Sequence, residues 1–465
     1  MAQPAGMLSR NDESTPTRDP GVARTIELLD LVFGPPAERA FDVQLWDGTT
    51  QRGGAAKRAD YAVVIHRRGA LRRMLIRPSE LSIVEAFISG DADVTGNLET
   101  AMSIGDQIGD RIQSLRGAVA LLPKVLALPK DDDPDVESSR YRRALRLVSS
   151  GARRATAGEI EFHYGVGNEF YSLWLDPHMQ YTCAYFRSAS DDLATAQTAK
   201  LDHICRKLRL QPGERFLDVG CGWGGLVQFA VEQYGVQALG ITLSEAQAKW
   251  ARDSIETRGL SDRCRVEVRD VRDLSASEPF DKISSVGVTE HIPEHDHPAY
   301  FARVYSVLRP GGLFLNHCEV SNNTARARHT LGERFGNWVW KRDQFIDRYV
   351  FPDAKLVALG SVISSGERAG FETRDVESLR EHYTLTLRAW LAGLLRRRVE
   401  ATALVGERTF RVWHLYMSAA AHGFDSGAIN LVQTLFSKAT RDGRSGLPMT
   451  REHLYTPSRA TSAST

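Results

Sequence analysis

Four glycines stand close together in Phe216-Leu-Asp-Val-Gly-Cys-Gly-Trp-Gly-Gly-Leu226, namely Gly220, Gly222, Gly224 and Gly225. An apolar run leads into Asp218 and the glycines, and a helical-looking run from Leu226 to Tyr234 follows. That order predicts a buried strand, a tight turn and a helix start. Without Cβ atoms in the way, a nucleoside can lie against such a turn, near the outward-pointing N–H groups of the helix. Gly220, Gly222 and Gly225 also fit G-x-G-x-x-G, so a dinucleotide site and a purely structural turn are the competing readings. A dinucleotide site wants an acid at the end of the second strand, about 20 residues on, to hold the ribose. Here the second strand, Gln237 to Ile241, runs into Thr242-Leu-Ser244 with no acid before Glu245, and the acid instead precedes the glycines at Asp218. The balance favours S-adenosylmethionine (SAM).

Strands and helices alternate around this stretch from about 156 to 455. Strands are expected near 214–219, 237–241, 264–268, 281–286 and 312–317, with helices over 244–258 and 298–308. Such alternation implies a mostly parallel sheet covered on both faces, with its ligand beyond the carboxyl ends of the strands. Asp218, Thr242, Asp270 and Glu290 all fall at such ends. Upstream, residues 21 to 110 read as a small α+β domain. Phe41 to Trp46 alternates like a strand and meets the turn pair Asp47-Gly48, Tyr61 to His66 is a second strand, and Leu81 to Ser89 is a short helix ending at Gly90. It holds no catalytic cluster, so binding or assembly is its expected task. Residues 111 to 155 read as a helical linker with an acidic turn, Asp131 to Asp135, and a basic run containing Arg140, Arg142, Arg143, Arg146, Arg153 and Arg154. That run suits an anionic membrane surface, and equally a solvated helix face. Residues 1–20 and 456–465 are expected to be disordered.

A chain of 465 residues implies two or three domains. With 59 basic against 58 acidic residues there is no global electrostatic case for nucleic acid. The five cysteines show no C-x-x-C spacing, so they read as buried thiols in a reducing cytoplasm, with no metal cage. The longest apolar stretch, Gly117 to Pro129, contains Pro123 and Lys124 and is too short to span a bilayer. Lipid, if it is the substrate, is met from the surface.

Across about 156 to 440 the chain resembles the cyclopropane fatty acid synthase family of SAM-dependent methyltransferases, which includes the mycolic acid cyclopropane synthases. The resemblance rests on His163-Tyr-Gly-Val-Gly-Asn168, Leu175-Asp-Pro-His-Met-Gln-Tyr-Thr-Cys-Ala-Tyr-Phe186, Leu217 to Gly225, Gly240-Ile-Thr-Leu-Ser244, Ser285-Val-Gly-Val-Thr-Glu-His291, Leu313-Phe-Leu-Asn-His317, Tyr349-Val-Phe-Pro352 and His382-Tyr-Thr-Leu-Thr-Leu387, in that order. It implies a Rossmann-like class I methyltransferase domain with helical lid insertions. The small N-terminal domain is similar to that of the phospholipid-acting members, which implies an unsaturated acyl chain carried on phospholipid at the inner face of the membrane, and a homodimer. In such enzymes the alkene attacks the sulfonium methyl, leaving a carbocation that must be stabilised and then lose a proton. An alkene is a weak nucleophile, so alignment and exclusion of water are what the site must supply. By resemblance, Cys183, Glu290, His317 and Tyr383 hold a bicarbonate ion that acts as base. Cofactor contacts carry over to Tyr164 and Thr182 at the methionine end, Asp218, Gly220 and Gly222 at the turn, Thr242, Leu243 and Gln247 at the ribose, and Asp270 with Val271 at the adenine.

One departure stands out. Glu319 lies two residues beyond His317, where bicarbonate-binding members usually carry an aliphatic residue. A strand's period of two puts both side chains on one face, where a carboxylate can replace the bicarbonate. A displaced base suits a 10-methylene product, as in the tuberculostearic acid branch, whose chains go on to a reductase; a cyclopropane ring is the alternative. A methyltransferase for a small soluble substrate and a SAM- or lipid-binding scaffold without chemistry are the rival readings. The run Arg396-Arg-Arg398 beside Leu394-Leu395 reads either as a headgroup grip or as a solvated helix face.

Overall fold

The computed structural model describes residues 19–55, 58–76, 79–104, 115–131, 166–322, 345, 349–350 and 356–455. The termini expected to be disordered, the basic run from Arg140 to Arg154, and Tyr164 therefore lie outside the described residues, apart from Asp19 and Pro20. Contacts divide the chain into two units, one of residues 1–97, 103–147 and 335–340 and the other of 98–102, 148–334 and 341–465.

The first unit begins with α1 (Pro20–Phe33), capped by Asp19, whose carboxylate accepts from the Gly21 N–H at 2.8 Å. A four-stranded sheet follows in the order β2 (Thr50–Gln51), β1 (Asp42–Gln44), β3 (Tyr61–Ile65), β4 (Ala92–Gly96). β1 and β3 run parallel and the other pairs antiparallel. α2 (Ala70–Ile76) and α3 (Glu80–Ile88) lie between β3 and β4, and Ser79 and Ser82 cap α3 reciprocally. The apolar stretch around Pro123 becomes α4 (Leu115–Ala127), which packs on α1 and α2. Its residues fall within the stretch expected to link two domains.

The second unit is built on a seven-stranded sheet: β5 (Arg215–Val219), β6 (Gln237–Thr242), β7 (Cys264–Val268), β8 (Phe280–Val286), β9 (Leu308–Ser321), β10 (Glu372–Ser378) and β11 (Ile429–Ser437), in the order β10-β11-β9-β8-β5-β6-β7. The chain crosses from β5 outward to β6 and β7, then returns to the other side of β5 as β8 and β9, all parallel. β10 and β11 close that edge antiparallel. The crevice where the strand order reverses, between the carboxyl ends of β5 and β8, is where ligands bind in open α/β sheets.

Alternation along the strands sorts their side chains into two cores. Phe216, Leu313 and Leu315 join residues of α5 (Leu193–Lys207), α6 (Gly225–Tyr234) and α7 (Glu245–Thr257) on one face. Leu217 and Phe314 join α8 (His297–Val307) and α9 (Leu359–Arg368) on the other. Continuing the alternation carries Asp218, His317 and Glu319 to the α5 face. Asp192 caps α5 by accepting from the Thr195 N–H at 2.7 Å, and Ser244 caps α7 through the Gln247 N–H. Two long helices, α10 (Arg380–Arg396) and α11 (Arg398–Asp425), pack against each other before β11. Non-helical dihedrals at Gly406 (φ 79°, ψ 157°) break α11. No described helix is long and apolar enough to cross a membrane.

Candidate active site

At the end of β5 the glycines turn the chain with φ of 72° at Gly220, 55° at Gly222 and 78° at Gly224, a region that a Cβ strains. A Cβ at Gly225 would sit 2.3 Å from the His178 carbonyl oxygen, so this glycine is required by packing. A Cβ at Gly222 would meet no protein atom within 4 Å. That open side of the turn, at the switch point of the sheet, is a cradle that fits SAM. Thr242 Oγ1 and Gln247 Oε1 pair at 2.8 Å at the end of β6, and Leu243 beside them is 40 % exposed, leaving an apolar surface there. The expected outcome is that Gly225→Ala lowers thermal stability by about 1–3 kcal/mol through overpacking. Gly222→Ala costs about 1 kcal/mol of strain yet weakens SAM binding in a calorimetric titration at least tenfold. If Gly222→Ala titrates like the parent, the cradle is not the cofactor site.

Two acids expected near the cofactor are already engaged. Asp270 is half-buried and pairs through both oxygens with Arg272, at 3.0 and 2.7 Å. It also caps the following turn, which ends at Asp273 and starts with Val271. Asp218 is 3 % exposed and accepts from Ser284 Oγ at 2.6 Å across the β5–β8 register. Burial pushes its carboxyl up to about 7, against the Ser284 hydrogen bond and the Lys200 ammonium. Asp218 thus ties β5 to β8 directly beneath the glycine turn.

Cys183, Glu290, Glu319 and Tyr383 reach one place from four elements, with His317 on the same strand face as Glu319. Cys183 lies in the irregular segment 180–186, His317 and Glu319 on β9, Glu290 on a single 3₁₀ turn after β8, and Tyr383 on the first turns of α10. Gly287 is their pivot. Its N–H donates to the His317 carbonyl at 2.9 Å, and a Cβ there would lie 3.2 Å from Thr182 Cγ2 and 3.9 Å from Glu290 Oε1. The backbone N–H groups of Glu290 and Glu319 lie near the Glu290 carboxyl and favour its charge. Its Oε2 is buried with no partner. The Tyr383 hydroxyl lies beside Glu319 and favours its ionised form. Burial raises both carboxyls, and the Glu319 charge raises Glu290 further, so the two together hold a proton well above the ordinary carboxylate range.

The remaining groups are neutral. Cys183 is fully buried, its Sγ donates to the Ala184 carbonyl at 3.2 Å, and burial drives the thiol far above its usual range. It can pack and donate, but it cannot act as a thiolate. Burial likewise holds His317 as the neutral imidazole. With Nδ1 accepting from Gln433 Nε2 at 3.1 Å, the proton sits on Nε2, which is buried without a partner. A neutral donor and an unsatisfied carboxylate oxygen therefore remain available inside a buried site.

Beside this group, Tyr171, Trp174, Tyr181, Trp223, Trp390 and Trp413 contact one another with ring centroids 5.0–6.0 Å apart. Tyr383 joins them, its ring 6.0 Å from that of Trp390. The rings meet tilted or edge to face, and the π faces of aromatic rings attract a cation.

The motif blocks do not single out Lys200, yet it holds the segment that carries Thr182 and Cys183. Lys200 has no exposed surface, and its Nζ donates to Gln180 Oε1 at 2.5 Å and to Thr182 Oγ1 at 2.9 Å. Gln197 Nε2 donates to the Thr182 carbonyl at 2.8 Å. From α10, Thr386 Oγ1 accepts from the Ala184 N–H and His382 Nδ1 from the Phe186 N–H, both at 3.0 Å. The signal lay in the periodicity of α5. Ala196, Ala199, Lys200, His203, Ile204 and Lys207 recur at spacings of three and four, which places two lysines on the buried face. A surface groove lined by Arg215, Arg263, Arg265 and Arg269 opens at the β5–β7 end of the sheet and contains none of the candidate residues.

The family model described as mycolic acid cyclopropane synthetase matches residues 152–434. A probable fatty acid methyltransferase of Pseudomonas putida is 37 % identical over 425 residues, covering 90 % of this chain and 98 % of that protein. The cyclopropane-fatty-acyl-phospholipid synthase of Escherichia coli K12 is 36 % identical over 281 residues, 60 % of this chain and 68 % of its own. Among solved structures, mycolic acid cyclopropane synthase CmaA1 complexed with SAH and CTAB superposes with a TM-score of 0.56 at 31 % identity, over 61 % of this chain and 99 % of its own. The class I fold, the turn cradle and these matches agree, and the chain belongs to the mycolic acid cyclopropane synthetase family of SAM-dependent methyltransferases.

Proposed function

We propose that this enzyme adds a one-carbon unit to the double bond of an unsaturated, oleoyl-type phospholipid acyl chain, with Glu319 as a built-in base in place of bicarbonate and a 10-methylene chain as the product. The observation that carries the reading is the half-buried Glu290–Glu319 pair, one member beside the Tyr383 hydroxyl and the other with a buried, unsatisfied oxygen. When bound, SAM supplies an electrophilic methyl group. Thr182, held by Lys200 and Gln197, and the glycine turn orient that cofactor. The alkene's π pair forms the new C–C bond as the S–CH₃ bond breaks, leaving a carbocation on the chain. The aromatic cluster and the carboxylate pair stabilise that charge, and the closed apolar surroundings keep water from capturing it.

The Glu319 carboxylate then takes a proton from the new methyl group. If a hydride has first shifted to place the cation on the methyl-bearing carbon, the electron pair left behind forms an exocyclic C=CH₂, which a reductase could later saturate. If not, the same pair closes a cyclopropane ring, the second reading, which the name of the Escherichia coli relative favours. A scaffold without chemistry has no use for two half-buried carboxyls set side by side. We further propose a peripheral location at the cytoplasmic face of the membrane and a homodimer. The test is incubation of the purified protein with SAM and dioleoyl phospholipid vesicles in bicarbonate-free buffer, with products read by mass spectrometry and proton NMR. A gain of one CH₂ with vinylidene protons is expected; ring protons would replace the 10-methylene product by the cyclopropane, and no mass gain would overturn the substrate class.

A further inference from the structure

The turn between α10 and α11 exposes an apolar and basic tip. Residues 395 to 400, Leu-Arg-Arg-Arg-Val-Glu, are all exposed, with Leu395 at 41 % and Val399 at 82 %. Leu404, one turn further along α11, is 46 % exposed. Arg398 pairs with Glu407 at 3.0 Å and lies over the Phe410 ring. Arg396 and Arg397 make no ion pair among the described residues, and Glu400 is the nearby acid left unpaired. An exposed valine and two leucines gathered around three consecutive arginines have the chemistry of a surface that sits in a bilayer interface, apolar groups in the acyl boundary and guanidinium groups among the phosphates. An isolated solvated helix end needs no such apolar groups.

The helix behind the tip leads to the chemistry. Tyr383, beside Glu319, lies 13 residues before Arg396 on α10. At 1.5 Å per residue that separation is about 20 Å, comparable with the roughly 15 Å depth of one leaflet's hydrocarbon. Gly393 on the same helix packs so closely on Trp174 that a Cβ there would come 3.2 Å from Trp174 Cβ, which anchors the tip to the aromatic cluster. Gly406, with φ of 79°, separates residues 398–405 from the rest of α11, so this short piece can meet a flat surface without reorienting the helix that lines the site.

We infer that the α10–α11 tip, through Leu395, Arg396, Arg397, Val399 and Leu404, is the surface by which the enzyme docks on bilayers containing anionic phospholipid. This inference rests on the phospholipid reading above. The experiment is flotation of the full chain with vesicles of dioleoyl phosphatidylglycerol, using Val399→Glu/Leu404→Glu and Arg396→Glu/Arg397→Glu, with Arg263→Glu/Arg265→Glu in the arginine groove as a control of equal charge change. Each tip variant should bind at least tenfold more weakly and the groove control within about twofold of the parent, because only the tip variants remove apolar or basic groups from the docking surface. All variants should keep the parent melting temperature and turn over detergent-dispersed substrate at the parent rate.

Equal vesicle binding by parent and tip variants overturns the docking surface, as does a parent dimer that Val399→Glu/Leu404→Glu converts to monomer without changing vesicle binding. A parent that binds vesicles through the tip but modifies neither vesicular nor dispersed lipid overturns the substrate reading and leaves the docking surface standing.

Discussion

Glu319→Gln is expected to lower kcat by a factor of about 10²–10⁴, the usual contribution of a positioned general base, while the melting temperature holds or rises. Glutamine keeps the size of the side chain and can still accept from Tyr383, so the loss isolates the basic oxygen. Glu319→Ala should lose as much activity in bicarbonate-free buffer and regain part of it on addition of bicarbonate, because the smaller side chain restores room for an anion beside Glu290 and Tyr383. Full activity of Glu319→Gln without bicarbonate would remove Glu319 from the mechanism.

The pH dependence separates chemistry from stability. The base must be ionised, and burial raises its carboxyl, so activity falls as pH drops through that raised value and not in the ordinary range near 4.3. Stability runs the opposite way. A carboxyl whose folded-state pKa is raised contributes stability that is fully present below the unfolded value and is lost as pH rises through the folded one. Melting temperatures of the parent should therefore fall from mildly acidic to mildly alkaline pH, and Glu319→Gln should flatten that fall. An equal slope in the two proteins would mean that the carboxyl pair does not titrate as described.

Lys200→Met should separate stability from function in a second way. Burial pulls the Lys200 ammonium down to about 8, although Asp176 and Asp218 favour the charge. The protein therefore spends stability to keep a cation there. Lysine with a lowered folded-state pKa penalises the fold fully below that value, and the penalty is relieved as pH rises from about 8 toward 10.4. At neutral pH methionine fills the same volume without the penalty, and Asp176 and Asp218, both already raised by burial, take up protons more readily. The variant should melt no lower than the parent.

Its turnover should fall about 10²-fold, the scale that a misplacement of 1 Å can cost. Gln180 Oε1 and Thr182 Oγ1 lose their common donor, and the segment that presents Thr182 and Cys183 loosens. Kinetics at saturating SAM and thermal melts of the same preparation make the comparison. A parallel loss of melting temperature and activity would reduce Lys200 to a structural role, and unchanged turnover would remove it from the site.

Much of the architecture was readable because local pattern and global fold agree. The apolar runs of β5, β6 and β8 end in Val219, Thr242 and Val286 near the positions expected, since buried parallel strands leave continuous apolar stretches bounded by turn residues. The glycine turn was legible for a stricter reason: its backbone angles and the approach of His178 at Gly225 admit little else. The period of two along β9 likewise puts His317 and Glu319 on one face from the sequence alone. β10 and β11 were less legible. β11 is almost wholly buried and its run Ile429 to Ser437 mixes apolar and polar residues, and its antiparallel sense depends on the helix pair that precedes it.

The sequence by itself determined the class I sheet, the turn and the residues able to do chemistry, because these follow from periodicity and from side-chain types fixed at strand ends. Tertiary structure alone decided their charge states and partners. Asp218 bridges strands through Ser284. Glu319 reaches Tyr383 from a different element, and Lys200, invisible in the motifs, fixes Thr182 from α5. Each of these depends on burial and on groups distant along the chain. Burial sets the free energy of a charge, and only the folded chain determines which groups share it.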